Sequence, residues 1–401
     1  AAHTCRTDDD TLLSEKSDSL MGKVIVMGIT GSIAAVECFG TIRELIRRGA
    51  EVIPVMTDAA KKLVTPDSLY FASGNAPVTE LTGLTEHITL MGDIESADLL
   101  LIYPATANTI SKIANGIDDT PVTSMATVAM GSGIPIAVAP AMHQAMFDNP
   151  AVAENIEKLK DWGLYIIGPR LDGTRAKVAT SEEVVETVER LVNNDYLTGE
   201  KVLVIGGRSE EPIDSMRLIT NRSSGLMAVT LAKAAFRKGA EVELWMGGCN
   251  VQIPSYIPTK RFSTVTELID MVDDIDHDIV IVPAALADFS PADVEDGKIP
   301  SDNAFDLKLE PVHKVLPLIC EKCDRVVGFK AESGLTKEEL IEKARSRMKL
   351  YGLYAVVAND TSSAGKERTD VVLIRDQGID ELEGNKSETS DLILDLCFGG
   401  L

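Results

Sequence analysis

"KVIVMGITGSIAAV" (residues 23–36) and "KVLVIGGRSEEPI" (201–213) open alike. Each is a short β-branched run that ends at glycine and leads into a helical pattern. Each is followed by a near-copy of one phrase, "RRGAEVIPVM" in the first half and "RKGAEVELWM" in the second. Each later has an acidic lead-in to another apolar run, "ADLLLIYPATA" and "HDIVIVPAALAD". Strand, helix and strand thus recur at matching points. Short strands that are apolar throughout, set between helices, belong in parallel sheets covered on both faces. The pattern predicts an α/β protein of two doubly wound, Rossmann-like domains with mainly parallel sheets. In such sheets ligands sit at the carboxyl ends of the strands. The polar "NNDYLTGE" (193–200) follows the helical "SEEVVETVERLV", whose early acids suit a helix start, and marks the join. The expected domains are residues 22–193 and 194–401, preceded by a polar, disordered tail at 1–21.

The bulk properties narrow the function. A chain of 401 residues that is 45% hydrophobic can fill two cores. Its 62 acidic against 39 basic residues give a net charge of −23. Nucleic acid and anionic membranes are therefore poor partners. No stretch approaches the ~20 apolar residues of a membrane span. The first residues lack the apolar segment of a secretory signal, and Met21, just before "GKVIVMG", looks like a natural start. Six scattered cysteines indicate a reducing compartment, hence the cytoplasm. "CEKC" (320–323) has no second ligand pair and reads as two ordinary thiols on one helix.

In the first half, "GITGSIAA" sets Gly28, Gly31 and Ser32 between strand and helix. Backbone N–H groups and the Ser32 hydroxyl suit a phosphate there. A plain turn is the alternative, and the spacing fits a mononucleotide better than a dinucleotide. Thr57, ending the next strand, is a second phosphate candidate or a helix cap. "PATANTISKIANG" (104–116) turns from strand to helix with small residues and one carboxamide, Asn108. His87 and His143 lie near strand ends. With Asn108 they make a set able to bind a carboxylate and move a proton.

These stretches carry a resemblance. "PATANTISKIANGI" is similar to the PASANT motif of the flavin-containing cysteine decarboxylases, "APAMHQAMFDNP" to their second signature, and "GSIAA" to their flavin-phosphate loop. "GGRSEEPIDSMRLITNRSSGLMA", "PAALADFSPADVEDGKI", "VGFKAE" and "VANDTS" resemble phosphopantothenate–cysteine ligases, in that family's order. Together they resemble the bifunctional phosphopantothenoylcysteine decarboxylase/phosphopantothenate–cysteine ligase family of coenzyme A biosynthesis, in an archaeal-like variant.

For the first half the resemblance implies FMN held by Gly31, Ser32, Ile33, Thr57, Thr123 and Ser124. It implies Asn108 on the substrate carboxylate, and His87 and His143 as catalytic residues. A cysteinyl carboxylate has no electron sink at its β-carbon. Oxidation of CH₂–SH to a thioaldehyde lets CO₂ leave to an enethiolate, and the flavin then returns the electrons. Two positions depart from the family. His143 stands where asparagine is usual. The flap region "GPRLDGTRAKVATSEE" lacks the family's cysteine, with Lys177 the nearest polar substitute.

For the second half the resemblance implies CTP, with Mg²⁺ or Mn²⁺ near its phosphates. CTP turns the 4'-phosphopantothenate carboxyl into an acyl-cytidylate, and the amine of cysteine then displaces CMP. Ala284, Asp288, Lys298, Phe329 and Arg347 are the implied CTP contacts. Lys298, in a Gly-flanked loop expected to be mobile, serves activation, and Asn221 serves amide formation. Tyr351 stands where a second phosphate-facing lysine is usual. Without the motifs these residues would read as surface lysine, turn and core. A homo-oligomer with the FMN site near a subunit interface is also implied. The rival readings are a flavin prenyltransferase-like or a non-catalytic flavoprotein half fused to an active ligase.

Overall fold

The structure, a computed structural model, describes residues 16–92, 96–172, 175–193, 195–300, 304–360 and 368–400. The chain divides into two compact units, residues 1–194 and 195–401.

The first unit holds strands β1 (Val24–Ile29), β2 (Glu51–Met56), β3 (Leu99–Ala105), β4 (Ile136–Pro140) and β5 (Tyr165–Ile166). They form one sheet in the order β2-β1-β3-β4-β5, parallel throughout. Alternate residues of a strand face opposite ways. Ile25, Met27 and Ile29 enter one core with Leu45 and Val185. Val26 enters the other with Leu100, Ile102, Val122 and Met125. Both faces are covered, which is why these strands carry no polar alternation. A short antiparallel hairpin follows, β6 (Arg170–Asp172) and β7 (Arg175–Lys177). It occupies the flap region, in which residues 173 and 174 lie outside the described residues.

The end of the expected tail is part of this unit. The backbone N–H groups of Lys16 and Leu20 bond to the carbonyls of Arg47 and Arg48, at 2.9 and 2.7 Å. Those carbonyls end the helix Cys38–Ile46. Leu20 is fully buried in the core, and Ser19 donates to Glu189 at 2.6 Å. Residues 16–21 are therefore anchored by one apolar side chain and by capping of a helix end, although their composition reads as tail. Residues 1–15 lie outside the described residues.

The second unit holds β8 (Lys201–Gly206), the hairpin β9 (Glu210–Pro212) and β10 (Leu218–Thr220), β11 (Glu241–Met246), β12 (Thr259–Arg261) and β13 (Ile279–Val282). After β14 (Phe289–Pro291) and β15 (Leu309–Pro311) come β16 (Val326–Glu332), β17 (Ala355–Asp360), β18 (Arg368–Arg375) and β19 (Gly378–Asn385). The main sheet runs β12-β11-β8-β13-β16-β17-β18-β19. It is parallel up to β17. The last two strands are antiparallel. Val202 and Val204 face one core, Leu203 and Ile205 the other.

In each unit the strand order reverses beside the first strand, between β1 and β3 and between β8 and β13. The chain leaves the sheet in opposite directions there and opens a crevice at the carboxyl ends. The cysteine pair differs from expectation. Cys320 ends the helix Val315–Cys320, and Cys323 lies beyond it. Burial raises both thiols, Cys320 to about 11. Among the described residues no helix is long and apolar enough to cross a membrane.

Candidate active sites

A cavity of about 730 Å³ opens where the first sheet reverses. Gly31 comes from the β1 exit, Thr57 and Ala59 from the β2 exit, Asn108 from the β3 exit and Ser124 from the helix Pro121–Ser132. Gly31 is required for close approach. A Cβ there would lie 2.4 Å from the Cβ of Ala59, and its φ is not positive.

The turn after β3 is organised by Thr30, which is 1% exposed. Its hydroxyl donates to the Pro104 carbonyl at 2.7 Å and accepts the Thr106 N–H at 3.0 Å. Thr106 in turn caps the helix Ala107–Ala114 through the Thr109 N–H. The small residues of "PATAN" thus let one buried hydroxyl tie the β1 exit to the β3 exit and fix the start of the helix bearing Asn108. Thr30→Val keeps the shape and orphans a buried carbonyl and N–H. It is expected to cost roughly 1–3 kcal/mol, seen as a lower melting temperature with weaker flavin retention. An unchanged melting curve would remove Thr30 from this role.

Of the residues expected here, Gly31, Thr57, Asn108 and Ser124 line the cavity, and Ser32, Ile33, Thr123, His87 and His143 are not among its lining residues. Thr57 lines the cavity, and its hydroxyl accepts the Ala60 N–H at 3.3 Å, as the cap reading expects. Ser32 caps the short helix Ile33–Glu37, and Ile33 is exposed. Thr123 is engaged in a capping box with Thr120, where its hydroxyl accepts the Thr120 N–H at 2.9 Å. Ser124 donates to Asp118. His143 is exposed, and its Nδ1 accepts the Ala145 N–H at 3.2 Å. His87 lies on the helix Glu86–Met91, with a buried Nδ1 that has no partner among the described residues. Lys177, the flap candidate, is exposed.

In the second unit a cavity of about 590 Å³ brings together Asn221, Ala284, Asp288, Phe329 and Arg347. Asn221 donates from its Nδ2 to the carbonyls of Ala285 and Leu286, at 3.2 and 2.9 Å. The carboxamide therefore holds the loop that follows β13. Asp288 pairs with Lys314, a cavity residue that sequence reasoning missed. Lys314 sits in "PVHKVL", which carries no local signal; only the fold sets it beside Asp288. The Arg347 guanidinium lies over the Tyr351 ring at 5.7 Å. Tyr351 thus supports the cation one helical turn away.

Lys298 is not among the lining residues, and its loop is held on both flanks. Ser215 N–H bonds to the Gly297 carbonyl at 3.2 Å. Ile299 N–H donates to Asp214 at 3.0 Å, and Arg217 donates to the Ile299 carbonyl at 3.2 Å. These bonds tie the residues on either side of Lys298 to residues 214–217. Burial pushes the Asp214 carboxyl up, but the N–H groups of Met216, Ile299 and Arg217 and the Arg217 charge outweigh it and set it at about 2. A depressed folded pKa stabilises above the unfolded value and loses that contribution as pH falls through the folded one. The stability gap between the protein and Asp214→Asn is expected to be constant near neutrality. It should close between pH ~4, the unfolded aspartate value, and about 2. Melting curves of both proteins against pH check this; a gap that persists at the acid end would contradict it.

A smaller cavity of about 170 Å³ adjoins the first and shares Arg222, Ala284, Ala285, Phe329 and Ala331 with it. Its remaining wall includes Ser223, Ser224, Gly225 and Lys386.

Comparison with known proteins gives the same division. The Flavoprotein family matches residues 13–193. The family described as DNA/pantothenate metabolism flavoprotein C-terminal domain matches residues 197–399. The coenzyme A biosynthesis bifunctional protein CoaBC of Thermococcus kodakarensis is 46% identical over 371 residues, 90% of this chain and 91% of that protein. The protein of the same name from Methanocaldococcus jannaschii is 39% identical over 392 residues, 96% of this chain and 95% of that protein. A solved structure titled the C-terminal domain of this bifunctional protein is 28% identical, covering 50% of this chain and 95% of that one, with a TM-score of 0.43.

Proposed function

The chain belongs to the family of coenzyme A biosynthesis bifunctional proteins, with a flavoprotein decarboxylase domain and a ligase domain, and from that premise we propose how its residues divide the work. The second unit joins 4'-phosphopantothenate to cysteine at the expense of CTP. The first unit, with FMN, decarboxylates the product to 4'-phosphopantetheine. The observation that carries this reading is placement. Residues far apart in sequence converge on cavities at the carboxyl ends of the two sheets, beside β1 and β3 in the first unit and beside β13 and β16 in the second.

The residues of the first cavity fit a flavin mononucleotide. Its volume of about 730 Å³ lies within the roughly 300–1,000 Å³ of ligand pockets. The Thr57 oxygen already accepts a hydrogen bond, so its hydrogen remains to donate to a phosphate. Ser32, on the adjoining turn, is the second proposed donor. When bound, FMN supplies the reversible two-electron acceptor that side chains lack. Asn108, one residue inside a helix N-terminus, orients the substrate carboxylate. Its neutral amide donates a hydrogen bond without the charge that would hold the carboxylate back, and the helix end favours the anion before CO₂ leaves. His87 and His143 are the proposed proton-handling residues.

In the second unit the acid's carboxylate oxygen attacks the α-phosphorus of CTP and pyrophosphate leaves. The cysteine amine then attacks the acyl carbon and CMP leaves. Lys298 offsets charge growing on the phosphates in the first step. Mg²⁺ enters with those phosphates, since it binds through a few carboxylates and substrate oxygens. Asn221 holds the loop against which the mixed anhydride is positioned. Asp288, Phe329 and Arg347 are nucleotide contacts, with Lys314 added by its pairing to Asp288. A homo-oligomer, an FMN site near its subunit interface and a cytoplasmic setting complete the proposal.

The reading is tested with purified protein, CTP, Mg²⁺, 4'-phosphopantothenate and cysteine. Yellow protein with a flavin spectrum, releasing CMP and pyrophosphate, supports it. Colourless protein that cannot be loaded with FMN would overturn the first half; no CMP would overturn the second.

A further inference from the structure

The two cavities of the second unit share one charged residue, Arg222; the others they share, Ala284, Ala285, Phe329 and Ala331, carry no charge. Cations nearby are engaged. Lys314 pairs with Asp288, Lys330 with Glu332 at 2.8 Å, and Arg208 with Glu210 at 3.2 Å. Arg222 differs. In a chain with 62 acidic against 39 basic residues, no carboxylate among the described residues pairs with it.

The residues on either side fix where this side chain starts. Asn221 donates to the carbonyls of Ala285 and Leu286, which lie on the wall of the larger cavity. The Ser223 carbonyl accepts from the Arg208 guanidinium at 2.9 Å. The Arg222 side chain itself is exposed, so its guanidinium can offer its forked N–H donors to a ligand without first leaving a protein partner.

The acyl-cytidylate joins a nucleotide to an acyl chain, and the carbon under attack lies at the join. Adjoining cavities hold these two parts only if that carbon lies near the wall they share. The incoming amino acid must reach the same place. In cysteine the carboxylate is attached to the carbon that bears the amine, so a group holding the carboxylate stands beside the reaction. We propose that Arg222 receives the α-carboxylate of the incoming cysteine, and so makes the ligase select an amino acid over the corresponding simple amine. Its planar fork matches the two carboxylate oxygens. The same charge disfavours the ammonium form of the amine, and the neutral form is the one that attacks. The amine nitrogen bonds to the acyl carbon and the bond from that carbon to the phosphate oxygen breaks. CMP leaves with the electron pair, and the amine proton passes to solvent. The selection matters to the first unit. Cysteamine, which lacks only the carboxylate, would give 4'-phosphopantetheine directly and leave nothing to decarboxylate. This rests on the ligase reading above.

The test compares cysteine with cysteamine as the amine in full-length wild type, Arg222→Met and Arg222→Lys. CMP release gives kcat and KM for each amine, and pyrophosphate release without amine gives acyl-cytidylate formation. Wild type is expected to prefer cysteine by about 10-fold or more in kcat/KM, the lower end for a charge-assisted hydrogen bond because the guanidinium is exposed. Arg222→Met should lose most of that preference through a higher KM for cysteine, with cysteamine turnover and acyl-cytidylate formation as in wild type. Arg222→Lys, which keeps the charge without the fork, should fall between the two. An unchanged preference in Arg222→Met overturns the proposal. So does a loss in Arg222→Lys as large as in Arg222→Met, because charge would not be the cause. An equal fall with both amines, or slower acyl-cytidylate formation, assigns Arg222 to the nucleotide or the acid and also overturns it. If wild type makes amide and the preference is insensitive to Arg222, the ligase reading stands and this role fails. If wild type makes no amide with either amine, the ligase reading fails and this role falls with it.

Discussion

Decarboxylation by His87→Asn is expected to fall about 10³-fold, within the range for losing one positioned acid–base group. FMN retention and ligation should be unchanged. His87 and His143 are the imidazoles of the first unit's described residues, and their surroundings differ. His143 has its Nδ1 committed to the Ala145 N–H and is exposed. The Nδ1 of His87 is buried with no partner among the described residues, which is costly unless something completes its hydrogen bonding. Asparagine keeps a polar group of similar reach but cannot carry a proton at neutral pH. The measurement is CO₂ release from phosphopantothenoylcysteine in a single turnover, with CMP formation from CTP assayed on the same preparation. CO₂ release at the wild-type rate would mean that His87 is the wrong histidine. Joint loss of both activities would mean that the change damages the fold.

Asn221→Asp is expected to slow amide formation about 10²–10³-fold. The carboxamide donates to two carbonyls, those of Ala285 and Leu286. Aspartate cannot donate, so both bonds are lost and a negative charge faces two carbonyl oxygens. That releases the loop leading to Asp288 and places like charge near the nucleotide phosphates. Activation depends more on Lys298, so acyl-cytidylate should still form and accumulate. In Lys298→Gln it should be scarce. Quenched single turnovers read both. Equal intermediate levels in the two variants would contradict this division of labour and leave both residues as general nucleotide-binding groups.

The sheets were legible because their strands are buried on both faces, so apolar runs such as "DLLLIY" and "DIVIV" announce themselves. Strand order was not legible, because a run of apolar residues does not say on which side of its neighbour it packs. The antiparallel β18 and β19 also escaped, since β19 alternates with charge and resembles a surface segment. Asn108, Asn221 and Asp288, which line the cavities, were singled out where motif and chain order coincide. Thr30 and Lys314 were not. Each acts on a partner distant in sequence: Pro104 lies 74 residues from Thr30, and Asp288 lies 26 from Lys314. Thr123, an implied FMN contact, does not line the cavity. A hydroxyl in the right stretch was already engaged in the cap of its own helix.

The central claim is that one chain performs both steps in series. The direct measurement supplies FMN-loaded protein with 4'-phosphopantothenate, CTP, Mg²⁺ and cysteine labelled at its carboxyl carbon, then counts CMP and labelled CO₂ together. The account predicts one CO₂ for each CMP and 4'-phosphopantetheine as the product. Preformed phosphopantothenoylcysteine should release CO₂ without CTP. CMP with no labelled CO₂, and phosphopantothenoylcysteine accumulating, would contradict the account and leave an active ligase joined to a non-catalytic flavoprotein.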